Sequence, residues 1–349
     1  MADFTLRPME TTDGPAIDAL MRTEAQTTSV SMTTHYGHDI YEALLAQHPT
    51  LTGVVAEATG TDGLVGVATV FFDEVGVGGR LFPCAHLENL KVRHDVRRQG
   101  LGARLAAWRI EEAQRRFGGE GVITAGVEAT NSASLATARR WATQVLGPVR
   151  IVIARTSSKR PASRGVVVRP LAEDDIDAVV EALNTFHVGY DLFPRQTRAG
   201  FAAALAPTRL GDSIRAYRVA VGPDGSLVAG AGITERFKVM TDHIDTMPLP
   251  LALLGRVAGV IPGDRVIRSI ELGLVWHVPG RVDAARALWD EIRFEWRDRA
   301  TNTVALADPR GTLIEAFHVG RTLVPRVELM SPVQSLARLD EHRLLYMWR

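Results

Sequence analysis

Cysteine and lysine are nearly absent from this chain, with one cysteine (Cys84) and three lysines (Lys91, Lys159, Lys238) in 349 residues. A single cysteine excludes an intrachain disulfide and points to a reducing compartment. The positive charge is therefore almost all arginine, a composition effect that carries no functional information. Neither sign of charge is in excess, since 40 basic residues meet 40 acidic ones, which excludes a general nucleic-acid or membrane-surface binder. Long apolar runs are missing too: the most apolar stretch, Leu249 to Ile261, is broken by Pro250, Gly255 and Arg256 and falls far short of a membrane span. The opening MADFTLRPME has no apolar centre of signal-peptide length. The expectation is a soluble, cytoplasmic protein. Hydrophobic content of 46% and charged content of 23% are ordinary for a globular chain, and the length allows two domains with proper cores.

Against that even background one stretch stands out, Glu88 to Arg116. An apolar run (Leu87, Leu90, Val92) leads into the basic turn Arg97-Arg98-Gln99-Gly100-Leu101-Gly102. An amphipathic helix follows, with Leu101, Leu105 and Trp108 at helical spacing and Gly118-Gly119 as its stop. Lys91 to Arg98 holds four basic residues and one Asp. A strand, a glycine-containing basic loop and a helix N-terminus together make an anion site. Gly100 and Gly102 let backbone approach the ligand, and the first N–H groups of a helix have no intrahelical acceptor. A pyrophosphate docks best there.

The rest of the chain reads as two copies of one strand-rich unit. Phe4 to Pro8 is a short strand, and Thr11 to Asp13 offers an N-cap for a helix through Ala16, Leu20 and Met21. Val54 to Ala58 and Leu64 to Phe72 flank Asp62-Gly63, a hairpin signal. Gly76 to Arg80 is a loop, Val122 to Val127 a buried strand, Ser132 to Thr143 a helix and Val149 to Ala154 a last strand. Thr156 to Gly165 has linker composition, so the expected division is residues 1–155, a linker at 156–165, and 166–349. Beyond it Val168-Arg169-Pro170 repeats Leu6-Arg7-Pro8, and Asp224-Gly225 repeats Asp62-Gly63. Ile270 to Val275 then repeats Leu87 to Val92, after an insertion between Arg236 and Val266. The second copy carries Gly280, Asp283 and Ala285 where the first has Arg97, Gly100 and Gly102. An Asp in an anion cradle repels the ligand.

These residues resemble the GNAT superfamily of acyl-CoA-dependent N-acyltransferases, whose hallmark R/Q-x-x-G-x-G/A is met by Arg97, Gly100 and Gly102. The context fits as well: a Glu-bearing strand before the loop, an amphipathic helix after it, and Asn131 beyond the next strand. The whole chain resembles a tandem GNAT protein with the architecture of the mycothiol synthase-like enzymes. The resemblance implies an α+β (mixed α/β) chain of two tandem GNAT-like domains, each a bent mixed sheet flanked by helices, and acetyl-CoA in a V-shaped split beside the fourth strand. It further implies pantetheine on the backbone of Leu90, Lys91 and Val92, and pyrophosphate on N–H groups of Arg98, Gln99, Gly100, Leu101, Gly102 and Ala103. An oxyanion donor would lie near Leu90, and Asn131 would complete the donor site.

The same resemblance makes Glu88 the candidate base, acting directly or through water, because an ammonium with a pKa of about 10 must lose a proton before it attacks. The tyrosine that the family often places seven residues after the helix Asn is replaced by Ala138. Ser134, a tyrosine of the 25–41 segment or water would then serve the leaving thiolate. His35, Tyr36 and Tyr41 fall in the segment that covers the acceptor. Cys84 reads as a small buried hydrophobe, Trp289, Phe294 and Trp296 as packing of the second copy's helix, and Tyr346 and Trp348 as core. Asp242-His243-Ile244-Asp245 has no partner cluster for a metal, so no metal is expected. The leading expectation is an N-acetyltransferase that moves an acetyl group from acetyl-CoA to a primary amine, a small molecule, by direct attack at one N-terminal site. The chain would be a monomer (a pseudo-dimer of domains) or a homodimer. The other class in play is a non-catalytic acyl-CoA-binding or regulatory module. The C-terminal strand Leu344 to Trp348 would complete one of the two sheets.

Overall fold

The computed structural model describes residues 3–23, 26–27, 31–162, 165–247, 261–317 and 327–347. The first half runs β1 (Phe4–Pro8), α1 (Gly14–Thr23), β2 (Gln26–Thr27), β3 (Ser31–Tyr36), α2 (Ile40–Gln47), β4 (Thr52–Ala58), β5 (Gly66–Val77) and β6 (Arg80–Val92). It continues through α3 (Leu101–Phe117), β7 (Val122–Ala125), β8 (Val127–Glu128), α4 (Ser132–Ala138) and β9 (Gln144–Arg155). The second half runs β10 (Val167–Pro170), α5 (Ile176–Phe186), β11 (Tyr190–Asp191), α6 (Arg198–Leu205), β12 (Arg215–Val221), β13 (Leu227–Thr234), β14 (Met240–Thr246), β15 (Val266–Ile267) and β16 (Ser269–His277). It closes with α7 (Val282–Glu295), β17 (Asn302–Ala307), α8 (Leu313–Ala316), β18 (Val327–Gln334) and β19 (Leu344–Leu345). The mixed α/β class expected from the sequence is the one found. Among the described residues no helix is long and apolar enough to cross a membrane.

One 13-stranded sheet spans both halves in the order β1-β4-β5-β6-β7-β18-β9-β17-β16-β13-β12-β10, with β8 paired to β18 beside it. The order is a near palindrome under the repeat. The last strands are exchanged between the halves: β18 lies antiparallel between β7 and β9, and β9 lies antiparallel between β18 and β17. Each half is thus finished by the final strand of the other. The expectation that Leu344 to Trp348 completes a sheet is corrected. The completing strand is β18, and only Leu344 and Leu345 of the later run form a strand, parallel to Tyr190 and Asp191. Trp348 lies outside the described residues. The apolar character of that run serves burial of Leu345, which joins a core cluster with Cys84, Val122, Val149 and Val333. Cys84 is fully buried, and burial pushes its thiol up.

Two smaller differences have local causes. Gly76 and Val77 belong to β5, and the turn is Gly78-Gly79, both at positive φ, the geometry of a tight hairpin. The helix expected over Ser132 to Thr143 is α4 alone, ending at Ala138. The insertion of the second half supplies β14, whose register with β3 runs from Met240 opposite Tyr36 to Thr246 opposite Ser31. The segment expected to cover the acceptor is therefore tied to the second half by a strand pair.

Candidate active site

The site grows out of how β6 ends. Its parallel pairing with β7 covers only Cys84 to Leu87 against Val122 to Ala125, whereas pairing with β5 continues to Val92. From Glu88 onward, among the described residues, no strand pairs with that edge of β6, and β6 and β7 part. A bulge sits at the opening: Thr69 faces Glu88 and Val67 faces Lys91, so β6 carries one extra residue. Asn89 takes a φ of 48° there, and its side-chain amide donates to Thr69 Oγ1 at 3.2 Å. Bulges of this kind re-aim backbone and side chains next to functional sites. Beneath it the buried guanidinium of Arg109, from α3, donates to the Glu88 carbonyl at 3.1 Å. Burial pulls this group down to about 10, partly offset by the Glu88 charge.

Beyond the split the chain turns into α3. Arg93 grips Asp95 through two hydrogen bonds of 2.8 and 2.9 Å and donates to the Asp62 carbonyl. Arg97 Nε donates back to the Val92 carbonyl at 3.0 Å. Arg98 and Gly100 both take positive φ, 63° and 88°, and Gly100 is the N-cap of α3. No acidic side chain occupies the first turn of α3, so the positive end of the helix dipole faces the loop unopposed. Gly66 lets the helix come close, since a Cβ there would lie 2.9 Å from Leu105 Cδ1. The expected cradle, Arg97 to Ala103, is thus a left-handed turn onto a helix N-terminus that follows the end of β6 at Leu90 to Val92.

At the apex of the split a small cavity of about 30 Å³, room for about two water molecules, is lined by Phe71, His86, Glu88 and the Thr124 to Gly126 segment. Glu88 is half-buried there, with His48 Nε2 at 3.8 Å from its carboxylate. The rings of His48, Phe71 and His86 form one stack, with centroids 3.9 and 4.5 Å apart. Burial pushes His48 down to about 3, helped by the Arg215 charge and by His86, and burial alone pushes His86 down to about 4. Both rings are neutral near pH 7.

Of the other residues singled out from the sequence, Tyr36 ends β3 and its phenol is pushed up to about 12 by burial, with Arg236, Asp242 and Glu88 all in electrostatic reach. His35 lies tilted against His243 of β14, with ring centroids 4.0 Å apart, and burial and His243 hold its pKa down. Tyr41 sits in the first turn of α2, which Asp39 caps, and packs against the Ile17 and Leu44 core. Asn131 caps α4 by accepting from Ser134 N–H at 3.0 Å. Ser134 is exposed on that turn and is not among the residues lining the cavity, and Ala138 is buried. Among the described residues no group of three His, Cys, Asp or Glu could hold a metal.

Sequence reasoning missed His48, His86, Arg109 and Tyr346. His86 had a signal, standing two residues before Glu88 on the same face of one strand. Tyr346, expected as core, does pack against the core of the second half and in addition lines the cavity beside Glu88 with Leu192, Ser331 and Met347, all from the second half, a role no local signal marks.

The second half shows why its own split is closed. It has the same bulge, with Gly232 opposite Gly273, Gly230 opposite Trp276, and Leu274 at a φ of 48°. Aligning the bulges places Gly273, rather than Glu271, opposite Glu88, which shifts the repeat register read from sequence by two residues. The cap Gly100 comes eleven positions after Asn89, whereas the cap Arg281 comes seven positions after Leu274. Four residues of the cradle are therefore gone, and Arg281 spends its guanidinium on Asp283 at 3.0 Å. The bulge is also filled by aromatic side chains. Tyr217 donates to the Leu274 carbonyl at 2.9 Å, Trp276 Nε1 donates to the Tyr217 hydroxyl at 3.0 Å, and the Leu274 N–H donates to the Tyr346 hydroxyl at 3.2 Å.

A strand that splays at a bulge, a glycine-capped basic loop and a carboxylate at the apex are thus brought together in the first half. Residues 17–142 match the Acetyltransferase (GNAT) family. No curated protein matches the sequence significantly. Among solved structures, N-myristoyltransferase of Saccharomyces cerevisiae with bound myristoyl-CoA is similar at a TM-score of 0.65 and 13% identity, over 99% of this chain and 85% of that one. A GCN5-related N-acetyltransferase from Sphaerobacter thermophilus gives 0.61 and 16% over 97% of both. A tandem GNAT protein from the clavulanic acid biosynthesis pathway gives 0.59 and 13%, over 97% of this chain and 100% of that one. At these identities the likenesses show the fold.

Proposed function

We propose that the chain transfers an acetyl group from acetyl-CoA to a primary amine at a single site in residues 1–155, with 166–349 a degenerate copy that supports it. The observation that carries this is the asymmetry between the two splits: one is open above a complete cradle and holds Glu88, and the other is aromatic-filled with Gly273 in that place. Pantetheine would run along the backbone of Leu90 to Val92. Pyrophosphate would take N–H groups of Arg98 to Gly102, with Arg97 and Asn131 at the rim; the Ala103 N–H already donates to the Gly100 carbonyl at 3.1 Å. The small apex favours an acetyl group over a long chain. Tyr36, with His35 and Tyr41 behind it, would form the acceptor wall.

The step is direct. Glu88, through a water, takes a proton from the ammonium; the neutral nitrogen attacks the thioester carbon, and bulge N–H groups hold the oxyanion. The C–S bond then breaks, and the second proton of the attacking nitrogen passes through water to the departing thiolate, whose thiol has a pKa of about 8.5, so neither Ser134 nor a residue at 138 is needed. Thiol release from acetyl-CoA with a panel of primary amines tests the reading. Amine-dependent release is expected. Tight binding of acetyl-CoA without release for any amine would favour a non-catalytic acyl-CoA-binding module.

A further inference from the structure

We propose that the C-terminal segment around Tyr346 and Met347 is the acyl-end wall of the N-terminal site and restricts the donor to short acyl groups, an inference that rests on the acyl-CoA reading of that site. The cavity at Glu88 is bounded on its far side by these two residues, with Leu192 and Ser331. Met347 lies against Gly126, the link between β7 and β8, since a Cβ there would stand 3.6 Å from its Sδ. The segment is a built wall and not a frayed end. Leu345 N–H donates to Asp308 Oδ2 at 2.9 Å, and Tyr346 N–H donates to the Asp191 carbonyl at 2.9 Å. Arg343 Nε donates to Asp191 Oδ1 at 2.7 Å, and Asp191 and Asp308 are both buried. The Tyr346 hydroxyl is held by the Leu274 N–H of the closed second split.

The degenerate half thereby acquires a role. Its own split is the socket for the Tyr346 hydroxyl, and the ring and the neighbouring thioether face the working site. An acyl chain longer than acetyl, starting from a carbonyl near Glu88, runs into that wall. Each methylene that a pocket accepts or refuses changes specificity by about 10-fold to 200-fold.

The test is kcat/KM for acetyl-, butanoyl- and hexanoyl-CoA with one fixed amine, by thiol release. It is run on the full chain and its Met347→Ala, Met347→Phe and Arg338→Ala variants, with thermal melts to confirm folding. The butanoyl-to-acetyl ratio should rise about tenfold in Met347→Ala and fall in Met347→Phe. It should stay unchanged in Arg338→Ala, an exposed position on the same segment. An unchanged ratio in both folded Met347 variants, or a change in amine KM with none in the acyl ratio, would overturn the wall. Failure of the wild-type chain to bind any acyl-CoA would remove the reading beneath it and the wall with it.

Discussion

Glu88→Gln should lower kcat about 10²-fold to 10³-fold, the usual scale for one general base, and leave the KM for acetyl-CoA nearly unchanged. The substitution keeps the shape and the cavity contacts of the side chain and removes only its basicity. At pH 7 an alkyl ammonium with a pKa of about 10 is neutral in roughly one molecule per thousand, so loss of the proton acceptor acts on the productive fraction of amine. The deficit should therefore shrink as pH rises toward the amine pKa. His48 and His86 do not substitute, because burial pushes them down to about 3 and about 4, so neither takes a proton at neutral pH. A Glu88→Gln chain with wild-type kcat at pH 7 would show that the carboxylate only shapes the cavity.

Residues 1–155 made alone should fail to fold, and adding 166–349 in trans should restore them. The strand exchange is the reason. Without β18 and β17, β9 loses both neighbours and β7 loses one. Val122, Val149, Val152 and Ala154, buried now, would face water. Exposing an aliphatic side chain of the valine class costs about 1.5–3 kcal/mol, so the three valines alone put at risk about 5–9 kcal/mol, comparable to the 5–15 kcal/mol that holds a typical domain together. The bare strands would also present open edges, which promote aggregation. Size-exclusion chromatography and thermal melts of the two fragments, separate and mixed, read this out. A cooperatively folded 1–155 fragment that binds acetyl-CoA would contradict it.

What was legible in the sequence was local. Asp62-Gly63 and Asp224-Gly225 announce hairpins because few other dipeptides make such turns. Arg97 to Gly102 announces a cradle because glycine at positive φ and clustered arginine have few other reasons to coincide. The repeat follows from recurrences of this kind, although the shared bulge, invisible as a pattern, fixes a register at Glu88 two residues away from the one the sequence suggests. The exchange of β9 and β18 left no local trace. Val327 to Gln334 pairs with residues about 180 to 210 positions earlier, and nothing in an alternating strand names its partner. The apolar run at Leu344 drew the assignment instead. For the same reason the Glu88 cavity was half visible: β6 supplied His86 and Glu88, and the fold supplied Tyr346 and Met347.

The central claim is that one of two homologous splits is a working acyl-CoA site, and calorimetric titration of the full chain with acetyl-CoA tests it most directly. One site per chain is predicted, lost in Gly100→Asp, where a side chain is forced into a φ of 88° and a negative charge enters the cradle. Two equivalent sites, or binding untouched by Gly100→Asp, would contradict the account.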